Sequence, residues 1–211
     1  MKQMKLIVTA AVIFFACMFA CSSAFAQDYT GFPAEKEGFW IRAGIGVPMT
    51  INAGSNPEVR SGAYTAVGVG LNLQLGYRWD TFAIQVEQDI AGAFVTDSAM
   101  SDAYKAMDKK AQYFLGGTYL MFSEYANFDN FHISFGEGIG AMYGAKGDFR
   151  AFWVDSDAAF ALKANIGFTY FFMDGMGAGF NFDYAIAFAI DGSGVTFSHF
   201  IQPVLTFTYV L

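Results

Sequence analysis

From Tyr64 to Trp79 the chain alternates strictly. One parity reads Thr65, Val67, Val69, Leu71, Leu73, Leu75, Tyr77, Trp79, and the other reads Tyr64, Ala66, Gly68, Gly70, Asn72, Gln74, Gly76, Arg78. A repeat of two sustained this long cannot be written on a helix of 3.6 residues per turn; it is a β-strand with two unlike faces. The stretch Gly179 to Gly192 repeats the pattern, with Phe180, Phe182, Tyr184, Ile186, Phe188 and Ile190 opposite Gly179, Asn181, Asp183, Ala185, Ala187 and Ala189. A carboxylate among aromatics would be costly, but alternation puts Asp183 on the small, polar face.

Six further segments read alike, which predicts eight strands. Phe39–Val47 sets Ile41, Ala43 and Ile45 against Arg42, Gly44 and Gly46, and Phe82–Phe94 sets Ile84, Val86 and Ile90 against Gln85, Glu87 and Asp89. Tyr113–Met121 is read with Tyr113, Leu115, Tyr119 and Met121 on the large face, away from Gly116 and Thr118. Phe131–Tyr143 begins with Phe131, Ile133 and Phe135 on the large face; Ala158–Phe172 opposes Phe160, Leu162, Ile166, Phe168 and Tyr170 to Lys163, Asn165 and Thr169. The last, Phe200–Leu211, opposes Ile201, Leu205, Phe207 and Tyr209 to Gln202, Thr206 and Thr208. A water-soluble sandwich would turn the bulky faces inward and charges outward. Here 18% aromatic residues and a positive mean hydropathy of +0.34 leave more oil than an ordinary domain of this size can bury. The expected fold is all-β: an eight-stranded antiparallel up-and-down transmembrane β-barrel with lipid outside and small polar residues filling a narrow lumen.

The front of the chain predicts export. Lys2 and Lys5 precede an apolar run from Leu6 to Ala20, and Ala24-Phe25-Ala26 supplies small residues at −3 and −1, so residues 1–26 read as a cleaved signal peptide. Cys21 offers a rival lipoprotein reading, disfavoured by the bulky Phe19 before it. Both cysteines, Cys17 and Cys21, lie in that segment, so the mature chain is expected to carry no disulfide and no thiolate metal site. Losing two lysines and no acids takes the formal charge from −7 to −9, which argues against nucleic acid as a partner. Residues 27–37 read as a short periplasmic segment and 38–211 as the barrel domain.

Links between strands alternate in length. Residues 48–63, 95–111 and 144–157 form long loops on one side and 191–198 a modest one; 80–81, 123–130 and 173–178 are the shorter turns on the other. That asymmetry is expected of an outer-membrane barrel with both termini periplasmic. Aromatics near the turn side, including Tyr77, Trp79, Tyr119, Tyr170, Phe207 and Tyr209, read as an interfacial girdle. The signal peptide, eight alternating strands, short turns and a final strand ending "TFTYVL" resemble the small bacterial outer-membrane barrels of the OmpA/OmpX type, over residues 38–211. The resemblance implies outer-membrane lipid and lipopolysaccharide as surroundings and the barrel-assembly machinery as a partner in biogenesis. The terminal Leu211 departs from the family's usual terminal aromatic, and no peptidoglycan-binding domain is expected after the last strand.

Candidate functional residues fall into three groups. Joining the second and third strands through Asp80-Thr81 places Gln74 opposite Glu87 and Asn72 opposite Asp89; with Lys163, Asp183, Arg42 and Arg78 these form an expected luminal polar network. Enclosed opposite charges read best as a plug, and the same residues in a pore would set selectivity. Second, the outward parity Phe131, Ile133, Phe135 continues to Glu137, so either a bulge at Gly136 or Gly138 turns that carboxylate inward or the site does chemistry. His132, Ser134 and Glu137 resemble, weakly, the residue types of outer-membrane lipid A deacylases, but strand parity puts Glu137 on the opposite face from the other two. Third, the 96–110 link spaces Met100, Ala103, Tyr104 and Met107 for a short amphipathic helix, and Phe149, Phe152 and Trp153 on another loop offer an extracellular ligand an aromatic surface or fold back on the rim. No cofactor and no metal site are expected. The function expected is non-enzymatic, in envelope structure or surface interaction. A narrow channel for small solutes or lipidic molecules, a lipid A-modifying enzyme and a soluble lipocalin-like binder are the alternatives.

Overall fold

The computed structural model describes residues 37–53, 64–79, 81–95, 112–128, 130–144, 158–173, 175–191 and 194–211. These form nine β-segments: β1 (Gly38–Gly46), β2 (Met49–Ala53), β3 (Tyr64–Arg78), β4 (Phe82–Val95), β5 (Gln112–Phe128), β6 (Phe131–Gly144), β7 (Ala158–Met173), β8 (Met176–Asp191) and β9 (Gly194–Val210). Both β1 and β2 run between β3 and β9, so they are two halves of one stave and the nine segments make eight positions. Pro48, which has no N–H to give to the ladder, interrupts that stave; its carbonyl still accepts Gly68 N at 3.1 Å. Every stave pairs antiparallel with its sequence neighbour, and β9 closes on β1 and β2. Closure leaves no edge strand, the condition for a sheet to sit in hydrocarbon with all its backbone bonds made.

The expected register holds at the first turn. Arg78 pairs with Ala83, Gln74 with Glu87 and Asn72 with Asp89. Strands are longer than their alternation alone suggested: β5 runs to Phe128, β8 begins at Met176, and Asp191 pairs with Gly194, which shortens the 191–198 link to two residues. In the turn between β7 and β8, Gly175 takes φ +74°, and a Cβ there would lie 2.6 Å from the Val210 carbonyl oxygen; both facts select glycine. The proposed signal peptide, the 27–36 segment, the 96–110 helix and the aromatics Phe149, Phe152 and Trp153 lie outside the described residues.

The burial pattern is inverted relative to a soluble protein. Val69, Leu71, Leu73, Leu75, Val86, Leu205 and Phe207 are exposed, while Asn72, Gln74, Glu87, Lys163, Asn181, Asp183 and Gln202 are buried. On β5 the parity is opposite to the sequence reading. Leu115, Tyr119 and Met121 are buried inside, and Phe114, Thr118 and Leu120 face outward. Cross-strand partners share a face, and Glu87 pairs with Tyr119; since Glu87 points inward, Tyr119 must as well. Tyr119 therefore leaves the expected girdle for the lumen.

Candidate functional site: the luminal network

The lumen is filled in layers. Nearest the termini, Trp40, Ala83 and Tyr125 pack together against Val210. Arg78 reaches from β3 across this layer, with its guanidinium 4.3 Å from the Tyr125 ring, Nη2 donating to Asn127 Oδ1 at 2.9 Å and Nη1 3.0 Å from His132 Nδ1. Trp40, Arg78, Tyr125, His132 and Val210, with Arg42, Thr169, Phe171 and Thr208, line a small recess at the terminal end of the lumen.

One layer further in, Arg42 spans the barrel. Its Nε donates to Thr208 Oγ1 at 2.9 Å, Nη1 to Gln74 Oε1 at 3.4 Å and Nη2 to Thr169 Oγ1 at 3.4 Å. With the Asn181 amide oriented to satisfy both its ends, its oxygen accepts from Arg42 Nη1 at 3.2 Å and its nitrogen donates to Phe180 O.

Above it lies the charge knot. Lys163 Nζ sits 2.5 Å from Glu87 Oε1, 2.5 Å from Asp89 Oδ2 and 3.1 Å from Asp183 Oδ2, and these four residues are almost wholly buried. The strand register explains the meeting. Lys163 is opposite Ala185 and Asn165 opposite Asp183, so the lysine lies diagonal to Asp183 and its long stem crosses the lumen to β4. Asn72 Nδ2 donates to Asp89 Oδ1 at 2.7 Å and to Glu87 Oε1, and Gln74 Nε2 donates to Asn72 Oδ1 at 3.0 Å. The Lys163 ammonium also lies 5.0 Å from the Tyr119 ring. Carboxylate oxygens of Glu87, Asp89 and Asp183 come within 4.8 Å of one another, close enough in principle to hold a metal ion, but the lysine ammonium already occupies their common focus.

Alongside the knot lies an apolar layer: Leu115, Tyr119, Met121, Met142 and Phe200 with Ala91, Ala159, Ala161, Ala185 and Ala187. Alternation along β5 does not reveal this layer, because bulky residues stand on both of its parities and the reading of Leu115, Tyr119 and Met121 as outward is as consistent with them as the reverse. Gln202 fits across β1 and β3 only because Gly46 and Gly70 lie beneath it; a Cβ at either would come 2.6 to 2.7 Å from its Nε2. Together the three cations tie every stave. Lys163 joins β7 to β4 and β8, Arg42 joins β1 to β3, β7, β8 and β9, and Arg78 joins β3 to β5 and β6.

The second candidate group does not assemble. His132 and Ser134 are buried in the lumen. Glu137 keeps its outward parity, paired without a register shift to Phe122 and Ala164, so the bulge expected at Gly136 or Gly138 is not formed. Both of those glycines are needed flat inside: a Cβ on Gly136 would meet Asn165 and Ser123, and one on Gly138 would meet Met121 and the Leu120 carbonyl. Glu137 is 8% exposed, tucked between neighbouring outer-wall side chains, and its Oε2 has no hydrogen-bond partner. Several other outer-wall polar groups find one another: Gln88 Nε2 donates to Tyr143 Oη at 2.7 Å, Thr118 Oγ1 donates to Gln88 Oε1 at 2.7 Å, and Tyr184 Oη lies 2.8 Å from His199 Nδ1.

Outer-wall aromatics band the terminal end, and a smaller group stands at the loop end, where Phe188 meets Phe160 and Phe197. Phe39, Tyr77, Trp79, Phe82 and Phe122 form a run of ring contacts at centroid distances of 4.7 to 5.8 Å across four staves. Phe131 meets Phe168 and Phe172 meets Phe207, while Tyr170 and Tyr209 stand exposed between them.

A closed eight-stave sheet, polar within and apolar without, has its counterparts among solved membrane proteins. The surface protein NspA of Neisseria superposes with a TM-score of 0.58 at 12% identity, over 84% of this chain and 100% of that one. The chain folds as a small bacterial outer-membrane β-barrel. OprG from Pseudomonas aeruginosa superposes with a TM-score of 0.56 at 16% identity, over 84% of this chain and 98% of its own length. AlkL, solved in lipid bilayers by solid-state NMR, gives 0.53 at 12% identity, over 88% and 96%. No family model and no curated protein sequence matches the barrel. At such identities the likeness is one of fold, carried by alternation and closure rather than by shared side chains.

Proposed function

We propose that the chain is a closed, non-enzymatic barrel of the bacterial outer membrane that serves envelope structure or surface interaction through the loops between its staves. The observation that supports this reading is the Lys163 knot, four almost wholly buried charged side chains gathered in the lumen beside the Phe200 layer and the Arg42 strut. A ring of charges lining an open pore would keep its members apart and hydrated, whereas here three carboxylates converge on one ammonium. The splitting of His132 and Ser134 from Glu137 across the wall supports a non-enzymatic role. The links 54–63, 96–111 and 145–157 all leave one end and short turns join the other, which supports an orientation with the termini periplasmic and the long loops outside. Lipid and lipopolysaccharide then surround the apolar wall, and the assembly machinery reads the last strand. Planar-bilayer recording of refolded protein tests the reading. Heat-modifiable migration with no discrete conductance steps is expected, and steady ohmic steps in the wild type would replace the plug with a channel.

A further inference from the structure

The seam at which the last stave closes on the first falls short at one level. The registers of the first stave with β3 and with β9 run from β1 into β2 without a shift, which sets Val47 opposite Pro203 and Pro48 opposite Gly68. Both are pairs of the kind that exchange two backbone bonds, and each makes only one of them: Val47 N donates to the Pro203 carbonyl and Gly68 N to the Pro48 carbonyl, both at 3.1 Å. The return bonds, from residue 203 to Val47 and from residue 48 to Gly68, have no N–H to make them. Consecutive residues of the first stave therefore lose a rung, one towards β9 and the next towards β3. Proline inside a sheet is ordinarily confined to edges and bulges, and these two stand in a continuous register. Side chains on β9 do not replace the rungs. Gln202, level with Pro48, is buried with neither amide atom partnered, and it lies over Gly46 and Gly70, which have no side chain to give it. Ser198 Oγ and Thr206 Oγ1, on the same luminal face of β9, also lack partners, whereas Thr208, nearer the termini, is held by Arg42.

We propose that β2 is a hinged strap, which parts from β9 and recloses as a unit about Val47–Pro48 while β1 stays paired to β9. The strap is only five residues, Met49–Ala53, and its hold on β9 is the run of pairs from Met49–Ile201 to Ala53–Phe197. The prolines separate this run from the β1–β9 pairs, so loss of the first does not strain the second. Opening would break the wall in its loop-end half and bring Gln202 to the gap. Ordinary fraying differs in form: it starts at the loop and fades rung by rung with depth, whereas a hinge releases everything beyond it together.

The test is residue-resolved amide hydrogen exchange of the refolded full-length barrel in a non-ionic detergent. Met49, Ile51, His199 and Ile201 should exchange at one common rate, about tenfold or more above that of Ile45 and Leu205 on the other side of the prolines and above that of Leu162 and Ile186 in the β7–β8 seam. Pro203→Val, on the outer wall, restores the N–H that faces the Val47 carbonyl, and Pro48→Ala, with a smaller side chain in the lumen, restores the one that faces Gly68. Either should slow exchange of the β2 set about fivefold, the factor that one net hydrogen bond represents, and leave the β7–β8 seam unchanged. A smooth rise in rate from Ile45 to Ala53 with no step at the prolines would mean fraying and overturn the strap, and this wild-type profile decides the matter even where a variant fails to refold. Rates equal to those of the β7–β8 seam, or a β2 set that neither refolded variant slows, would overturn it as well.

Discussion

Lys163→Met is the most informative single change in this barrel, because the side chain stays unbranched and nearly as long while losing the ammonium with its charge and hydrogen bonds. Lys163 faces three carboxylates at 2.5, 2.5 and 3.1 Å. At an effective dielectric of about 20, each contact is worth about 5–7 kcal/mol before desolvation, and each of the three mutual carboxylate repulsions costs about 3.5 kcal/mol or more at separations within 4.8 Å. Desolvation of four buried ions offsets much of the attraction, which is why the knot as a whole contributes little net stability while removal of its one cation is severe. The expected loss is about 3–5 kcal/mol, the scale for stranding buried charge. With a urea dependence of about 2–3 kcal/mol per molar, the unfolding midpoint in detergent should fall by about 1–2 M. Adding Glu87→Gln, Asp89→Asn and Asp183→Asn to the same chain should recover more than half of that loss, because amides of the same shape carry no repulsion. An unchanged midpoint for Lys163→Met, or an equal loss in the neutralised background, would refute the electrostatic account of the knot.

Three further outcomes follow from which face each side chain occupies. Asp183→Asn should refold close to wild type and Asp183→Leu worse, because leucine leaves Lys163 and Asn72 short of an acceptor, while the adjacent outer-wall Tyr184→Arg should cost about 2–4 kcal/mol in lipid; refolding in which Asp183→Leu does best would invert the assignment. Tyr119→Phe should be neutral or slightly stabilising, since the buried hydroxyl has no partner, whereas Tyr119→Leu should lose about 1–2 kcal/mol with the ring that faces Lys163; equal urea midpoints for the two would remove the ring–ammonium contact from the account. Glu137→Leu should stabilise the barrel in bilayers by about 1–2 kcal/mol by removing an outward carboxylate with an unpartnered oxygen; a clear destabilisation would mean that the carboxylate has a partner in the membrane.

Alternation alone determined the strands, their number, the inside-out polarity and, through the tight turn after Arg78, the facing of Gln74 with Glu87 and Asn72 with Asp89. It could do so because a period of two assigns every residue of a strand to one face once a single residue is assigned. Asp183 was legible for that reason, its neighbours Phe182 and Tyr184 leaving it no other wall. β5 defeated the same logic. Phe114, Leu115, Tyr119, Leu120, Met121 and Phe122 put bulky groups on both parities, so the strand carries no internal sign of which face is in, and its facing is inherited from the register with β4. Trp40 and Phe200 posed the same difficulty: each is a large ring on the parity of polar residues, and its place in the lumen depends on how far across the bore it must reach. Glu137 shows the converse, a position whose polarity argued for a bulge that the packing of Gly136 and Gly138 against opposing side chains does not allow. What the tertiary structure decided is what meets in the lumen. Lys163 comes from β7, its partners come from β4 and β8, and no pattern along one strand records the distance across a closed barrel.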